Sequence, residues 1–101
     1  MVIVVFEFEP DEILKGRYFE LAAALLEEVE KIEGFISVER FESISNAGHF
    51  VSLSTWQDMA AVKRWNEHVE HSAAQDEAKS RNLFRNYRIR VADVVRDYGQ
   101  C

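Results

Sequence analysis

The stretch Val2-Ile3-Val4-Val5-Phe6-Glu7-Phe8-Glu9 decides the fold. It is rich in β-branched and aromatic residues, which is typical of a β-strand. Because side chains alternate along a strand, one face would carry the even-numbered residues from Val2 to Phe8, and the other would carry Ile3 and Val5. Both faces are apolar, so one layer of helices would leave one of them exposed. The strand therefore predicts helices on one face of a sheet and another apolar surface, such as a second sheet, on the other.

The rest of the chain completes a βαββαβ order. Apolar spacing of three and four residues predicts a helix from Leu14 to Ile32, and a hairpin of two strands follows over residues 34–43 and 49–56. A second helix is predicted over residues 56–75 and a last strand from Phe84 to Asp97. This order indicates an α+β fold of the ferredoxin-like type, with a four-stranded antiparallel sheet and two helices on one face.

Composition limits the partners. The chain has 101 residues and a net charge of −6, and we interpret it as one domain with a core over about residues 2–98. The lack of a basic block argues against nucleic acid and anionic membranes, and no apolar run approaches the roughly 18 residues of a membrane span. One cysteine, Cys101, and an amino terminus without a signal-peptide pattern lead us to expect a cytoplasmic protein. A domain this small buries only somewhat more than about 60% of its unfolded surface, so we expect self-association.

The second helix, Trp56 to Gln75, holds the candidate catalytic residues. Asp58 is the expected N-cap. His68, His71 and Gln75 follow one border of the apolar stripe at spacings of three and four residues, so their side chains would be neighbours. On a helical wheel His68 lies nearer the apolar centre than His71. We therefore predict that His68 is the more buried histidine and the base of a pocket, with His71 and Gln75 as orienting hydrogen-bond partners.

The candidate substrate-binding residues lie on the same helix and the neighbouring strands; they are Trp56, Trp65, Ser72, Gln75 and Tyr87. Each has a structural alternative, since tryptophans are ordinary core residues and polar side chains at a helix border satisfy hydrogen bonds. Tyr87 could face either the core or the pocket. Arg88 and Arg90, which alternate with the apolar residues of the last strand, are expected to pair with acids of the hairpin such as Glu39 or Glu42.

Four segments carry a family resemblance: Gly34-Phe-Ile-Ser-Val-Glu-Arg-Phe-Glu-Ser43, Leu53-Ser-Thr-Trp56, Ala60-x4-Trp65-x2-His68-x2-His71-x3-Gln75 and Tyr87-Arg-Ile-Arg-Val-Ala-x-Val-x-Arg-Asp-Tyr98. In this order the chain resembles the antibiotic biosynthesis monooxygenase family of the dimeric α+β barrel group over essentially its whole length. The resemblance implies a homodimer whose two sheets meet face to face as a barrel, and a pocket between sheet and helices in each subunit. It also implies oxidation of a small hydrophobic, aromatic or polyketide-like substrate by O2, with no bound metal or flavin.

Three functions compete at this point. The first is a cofactor-independent monooxygenase with a histidine at the pocket border as its base. The second is a haem-degrading oxygenase, but related barrel proteins use an Asn of the first strand, and Met1 to Glu9 contains none. The third is a non-catalytic ligand-binding or stress-associated dimer. The sequence has no phosphate-binding glycine motif, no Cys/His metal set and no nucleophile elbow, so we expect no cofactor and no metal.

Overall fold

A computed structural model of the chain describes residues 1–70, 76, 77, 79 and 81–100. Its elements in chain order are β1 (Val2–Pro10), α1 (Lys15–Val29), β2 (Phe35–Glu42), β3 (Phe50–Trp56), α2 (Met59–Glu70) and β4 (Phe84–Asp93). The predicted βαββαβ order is confirmed. No helix within these described ranges is long and apolar enough to cross a membrane.

The four strands form one antiparallel sheet in the order β2-β3-β1-β4. In the register Val4 lies opposite Ser54 of β3 and Val91 of β4, so these three side chains share a face. Both helices lie on that face, because residues of α1, α2 and the same three strand positions enclose one cavity. The ferredoxin-like α+β fold predicted from the sequence is confirmed.

The last strand differs from the prediction in its end and in its partner. It ends at Asp93 and not at Asp97, because Asp93 lies opposite Val2, the first residue of β1. Just beyond the strand, the N–H of Val94 donates to the carbonyl of Met1 at 2.9 Å. The side chain of Arg90 donates to Oε1 of Glu7 at 2.5 Å. The expected pairing of Arg90 with acids of the hairpin was therefore wrong, because β4 lies beside β1, and β2 is the edge strand at the opposite end of the sheet.

Two packed clusters lie at opposite ends of the space between sheet and helices. The Trp56 cluster consists of the buried side chains Val2, Val29, Trp56, Ala61 and Val62. The Phe8 cluster is aromatic: the buried ring of Phe8 contacts those of Phe6, Tyr18, Phe50 and Phe84 at centroid distances of 4.9 to 5.8 Å. Since Val2 and Phe8 stand at the two ends of β1, the middle of the layer is left between the clusters.

A tight contact fixes the beginning of α2. Gly34 has φ +91°, and a Cβ added there would lie 2.6 Å from the Cβ of Ala61, so only glycine fits without displacing the helix. The N–H of Gln57 donates to the carbonyl of Gly34 at 2.7 Å. The carboxylate of Asp58 accepts from the N–H of Ala61 at 3.0 Å, which confirms the predicted N-cap.

The opposite face of the sheet carries the odd-numbered residues of β1. Val5 lies opposite Leu53, and Ile3 lies opposite Thr55. Phe41 of β2 belongs to the same face and its side chain is 45% exposed. The prediction of two apolar faces is therefore confirmed, and we name this uncovered surface the free face of the sheet. Pairing of two subunits through it stays a prediction.

Candidate functional site

A cavity of about 530 Å³ lies between the sheet and the two helices. Its lining is mainly apolar and comes from all six elements, including Val4, Leu25, Val38, Trp65 and Ile89. Its volume lies within the range of roughly 300–1,000 Å³ that is typical of pockets for small organic ligands. The space between the Trp56 cluster and the Phe8 cluster is thus a ligand-sized hollow and not a packed core.

The cavity exists because two small side chains stand in the middle of β3. The helix-facing positions of this strand are Phe50, Ser52, Ser54 and Trp56. The two large aromatic residues belong to the packed clusters, whereas the two serines lie between them and line the cavity. A face of this kind would ordinarily carry apolar side chains of similar size, as β1 does with Val4 and Phe6. Ser52 and Ser54 leave that volume empty.

One end of the cavity is polar. Arg40 lies opposite Ser52 in the register of β2 and β3, and both line the cavity together with Tyr18 of α1. The guanidinium carbon of Arg40 lies 5.7 Å from the ring centroid of Phe19. Burial raises the pKa of the Tyr18 hydroxyl above its ordinary value, and the nearby Arg40 guanidinium offsets only part of this effect. Tyr18 is therefore a neutral hydrogen-bond donor at physiological pH.

The other end combines tryptophan rings with two hydrogen-bonding groups. Nε1 of Trp56 donates to Oγ of Ser54 at 2.9 Å, so the hydroxyl hydrogen of Ser54 is available for an acceptor in the cavity. Asn66 and Trp65 of α2 also line this space. The arrangement offers flat apolar surfaces and polar groups that can bind the oxygen of a ligand.

The structure brings some of the predicted substrate-binding residues together. Trp56 and Trp65 both line the cavity, and Trp56 is at the same time a core residue with 1% of its surface exposed. Tyr87 lies on the helix-facing side of β4, opposite Phe8, but its side chain is 64% exposed and is not part of the described lining. Ser72 and Gln75 lie outside the described residues.

His68 lies on the outer side of the helix layer. Its side chain is 43% exposed, and its Nε2 is 3.1 Å from Oε1 of Glu28 on α1. Its ring stacks on that of Trp65, with a centroid distance of 5.6 Å and an interplanar angle of 19°. Within the described lining His68 is absent, so it approaches the cavity through Trp65. His71 lies outside the described residues, and the catalytic roles of both histidines stay predictions.

Four polar residues that line the cavity were not predicted from the sequence: Arg40, Ser52, Ser54 and Asn66. The two serines could have been predicted, because two small side chains between two large ones on one face of a strand indicate a hollow in the core. Nothing in the sequence pattern around Arg40 indicated that it would line the cavity. Among the residues that the structure describes, no group of three His, Cys, Asp or Glu side chains is placed to hold a metal ion.

Comparison with known proteins identifies relatives of this fold and sequence. The family model of antibiotic biosynthesis monooxygenase matches residues 1–77. Jasmonate monooxygenase ABM of Pyricularia oryzae is 33% identical over 95 residues, which cover 94% of this chain but only 44% of that protein's length. The uncharacterised protein YqjZ of Bacillus subtilis is 32% identical over 78% of this chain and 67% of its own.

Solved structures agree on the fold. A Deinococcus radiodurans protein assigned to the antibiotic biosynthesis monooxygenases superposes with a TM-score of 0.76 over 100% of this chain and 99% of its own, at 15% sequence identity. At this level of identity the superposition supports the fold alone.

Proposed function

This chain belongs to the antibiotic biosynthesis monooxygenase family, and we propose that it inserts one oxygen atom of O2 into a small aromatic or polyketide-like substrate without a metal or flavin. The observation that carries the proposal is the cavity of about 530 Å³, which has an apolar lining, two tryptophan rings and a few polar groups. The relative named jasmonate monooxygenase supports oxygen chemistry on a small organic molecule. Jasmonate is named as the substrate of that relative and is not assigned to this chain.

The proposed reaction needs no external reductant if the substrate has an activated CH2 group, as an anthrone has. The substrate loses a proton to give a carbanion, which passes an electron to O2. Recombination forms a C–O bond, and loss of water leaves a carbonyl group. The CH2 group supplies both hydrogen atoms of the water, and one atom of O2 remains in the product. The protein therefore has to remove a proton, stabilise an oxyanion and exclude bulk water.

The cavity supplies groups for the second and third tasks. The Ser54 hydroxyl and the Asn66 amide both line the cavity and would donate to an oxyanion that develops on a ring held against Trp65. The apolar lining keeps the ring out of water, so each of these hydrogen bonds is stronger than it would be in solvent. A phenolic or enolic ring system fits this combination of flat surfaces and donors.

We propose His68 as the group that removes the proton. Its contact with Glu28 would orient the ring. Because the ring stacks on Trp65 and lies outside the described lining, the proton would have to pass through a bridging water molecule at the edge of Trp65. Proton removal by His68 and substrate binding by the cavity can therefore be tested with different variants.

The test of the base is His68→Ala, with His49→Ala as its matched control. His49 is also a half-exposed histidine, with its Nε2 3.7 Å from a carboxylate oxygen of Glu9. We expect His68→Ala to lower turnover by about 10²- to 10⁴-fold with little change in thermal stability, and His49→Ala to leave turnover within about twofold. Full activity of the His68→Ala protein would exclude His68 as the base.

The test of the function is oxygen uptake by the purified protein with a panel of anthrones, quinols and haem. The proposal predicts uptake with an anthrone or a quinol and the absorbance change of oxidation, undiminished by metal chelators. A haem complex whose Soret band survives gel filtration, and then decays as oxygen is consumed, would favour haem degradation. Binding of the aromatic compounds, seen as quenching of Trp56 and Trp65 fluorescence, without any oxygen uptake would favour a non-catalytic binding protein.

We also propose that two subunits pair through their free faces. The free face carries Ile3, Val5 and Leu53, and neither α1 nor α2 lies on it. Apolar area removed from water contributes about 25 cal/mol per Å², so a second sheet on this face would stabilise the protein considerably.

A further inference from the structure

We propose that the substrate of this cavity carries one carboxylate and that Arg40 binds it. The inference rests on the proposed function only in taking the cavity as the substrate site. It assigns a chemical class to the ligand: an apolar body with a single acidic group at one end. It also assigns the residue that distinguishes such acids from their neutral counterparts.

The first observation is the position of Arg40. It stands on the helix-facing side of β2, opposite Ser52, and it is an exposed residue of an outer strand of the sheet. Its guanidinium lies 5.7 Å from the ring centroid of Phe19 and interacts with the hydroxyl of Tyr18, both on α1. The side chain thus extends from the sheet to the helix, at the rim of the cavity.

The second observation is that Arg40 is not neutralised. In the described part of the chain, the carboxylates that form ion pairs with arginine are engaged elsewhere; the pairs are Arg17–Glu20, Arg17–Glu77, Arg81–Glu77 and Arg90–Glu7. The next acid on the same face of β2, Glu42, accepts from the N–H of Gly48 at 3.1 Å. Lys15 adds a second cation at this end, with Nζ 5.2 Å from the ring centroid of Phe50. Glu39 also lines the cavity, but it stands opposite Leu53 on the other face of β2, so the charge on the helix-facing rim comes from Arg40 and Lys15 and is positive.

The third observation is the polarity of the cavity along β3. Donors lie at the end formed by Arg40, Ser52 and the neutral hydroxyl of Tyr18. From Ser52 the floor continues to Trp56, roughly 13 Å along an extended strand. A planar guanidinium binds a carboxylate through two parallel hydrogen bonds, which makes arginine selective for this group. An acid of this length would place its carboxylate at Arg40 and its apolar body against Trp65.

The experiment compares two probes of nearly equal shape, 1-naphthylacetate and the neutral 1-naphthylacetamide. Their binding is measured anaerobically at pH 7 by the quenching of tryptophan fluorescence, since Trp56 and Trp65 both line the cavity. We expect the acid to bind at least about 10-fold more tightly than the amide. Arg40→Gln should weaken binding of the acid by about 10- to 100-fold and leave that of the amide within about twofold.

Two further variants make the result specific. Lys63→Gln removes one positive charge from the exposed side of α2, outside the described lining, and should leave both probes unchanged. Arg40→Lys keeps the charge but not the planar fork, so it should retain part of the preference for the acid. Thermal unfolding of each variant identifies a folding defect. If Arg40→Gln does not fold, the preference of Arg40→Lys, reduced but present, carries the test.

Three results would overturn the inference: equal affinity of the wild-type protein for acid and amide, equal weakening of both probes by Arg40→Gln, or a larger Arg40-dependent affinity for 1-naphthol than for the acid. Oxygen uptake is recorded separately. A preference for the acid without oxygen uptake by any acidic substrate would retain this inference and remove the monooxygenase proposal. Equal oxygen uptake with an acidic substrate by the wild-type protein and Arg40→Gln would retain the monooxygenase proposal and remove this inference.

Discussion

The two faces of β3 differ in the size of their side chains. The face toward the helices carries Ser52 and Ser54 between two large aromatic residues, whereas the free face carries Val51, Leu53 and Thr55 without such an interruption. The first face borders the cavity. The second carries a row of larger side chains, with Glu39 of β2 beside Leu53 and Arg90 of β4 beside Val5 on the same face. One strand therefore supplies both the wall of a ligand site and a candidate subunit contact. The difference between its two faces comes from the two serines.

The largest effect should come from Leu53→Asp on the free face. If two sheets meet there, the substitution places a charge in an apolar interface, where it has no partner. We expect the protein to change from a homodimer to a monomer at micromolar concentration by light scattering, with the dissociation constant raised about 100-fold or more. A wild-type protein that is already monomeric under these conditions would contradict the pairing of free faces.

The neighbouring change, Ser54→Leu, tests the other face. Leucine would fill the space between Val4 and Val38, so turnover and probe binding should each fall by about 100-fold, while the homodimer persists. The new side chain occupies a hollow, but it removes the acceptor of the Trp56 Nε1–H, so the free energy of unfolding should fall by about 1–3 kcal/mol. Thr55→Val, on the free face, is the control and should bind the probes normally. Unchanged binding by Ser54→Leu would show that the ligand site lies elsewhere.

The smallest effect concerns Tyr18 and pH. Burial raises the pKa of its hydroxyl above the ordinary value of 10.0, with Arg40 acting in the opposite direction. The folded protein then holds this proton more tightly than the unfolded chain does, so the contribution to stability is complete below pH 10 and is lost as the pH rises from there through the folded pKa. Urea unfolding gives the free energy of unfolding of the wild-type protein minus that of Tyr18→Phe. This value should be constant from pH 7 to 9 and should decrease above pH 10. An increase above pH 10 would contradict the direction of the pKa shift.

The fold could be predicted because it depends on local alternation. The even and odd positions of Val2 to Phe8 indicated two buried faces, and the spacing of apolar residues located both helices. The end of β4 was missed because a strand ends where its partner ends, and the partner of Asp93 is Val2 at the other end of the chain. The partner of Arg90 was missed for the same reason, since it depends on strand order.

The site was less predictable because it depends on which elements face each other. A helical wheel gives the direction of His68 relative to its own helix, but not the position of Glu28, its partner on α1. Arg40 looks in sequence like any polar residue of an outer strand, and it becomes notable only where β2 brings it to Tyr18. Trp56 and Trp65 were found because the chain has only two tryptophans, and side chains of this size on a core-facing strand end and helix stripe reach the interior of a small domain.

Isotope labelling shows whether the cavity under the helices carries out oxygen insertion. An anthrone that supports oxygen uptake is oxidised under 18O2 in unlabelled water, and the quinone is analysed by mass spectrometry. We expect one 18O atom in each quinone molecule formed by the wild-type protein, and a rate close to the protein-free background for Ser54→Leu. A quinone whose new oxygen comes from water, or equal rates of labelling for the wild-type protein and Ser54→Leu, would contradict it.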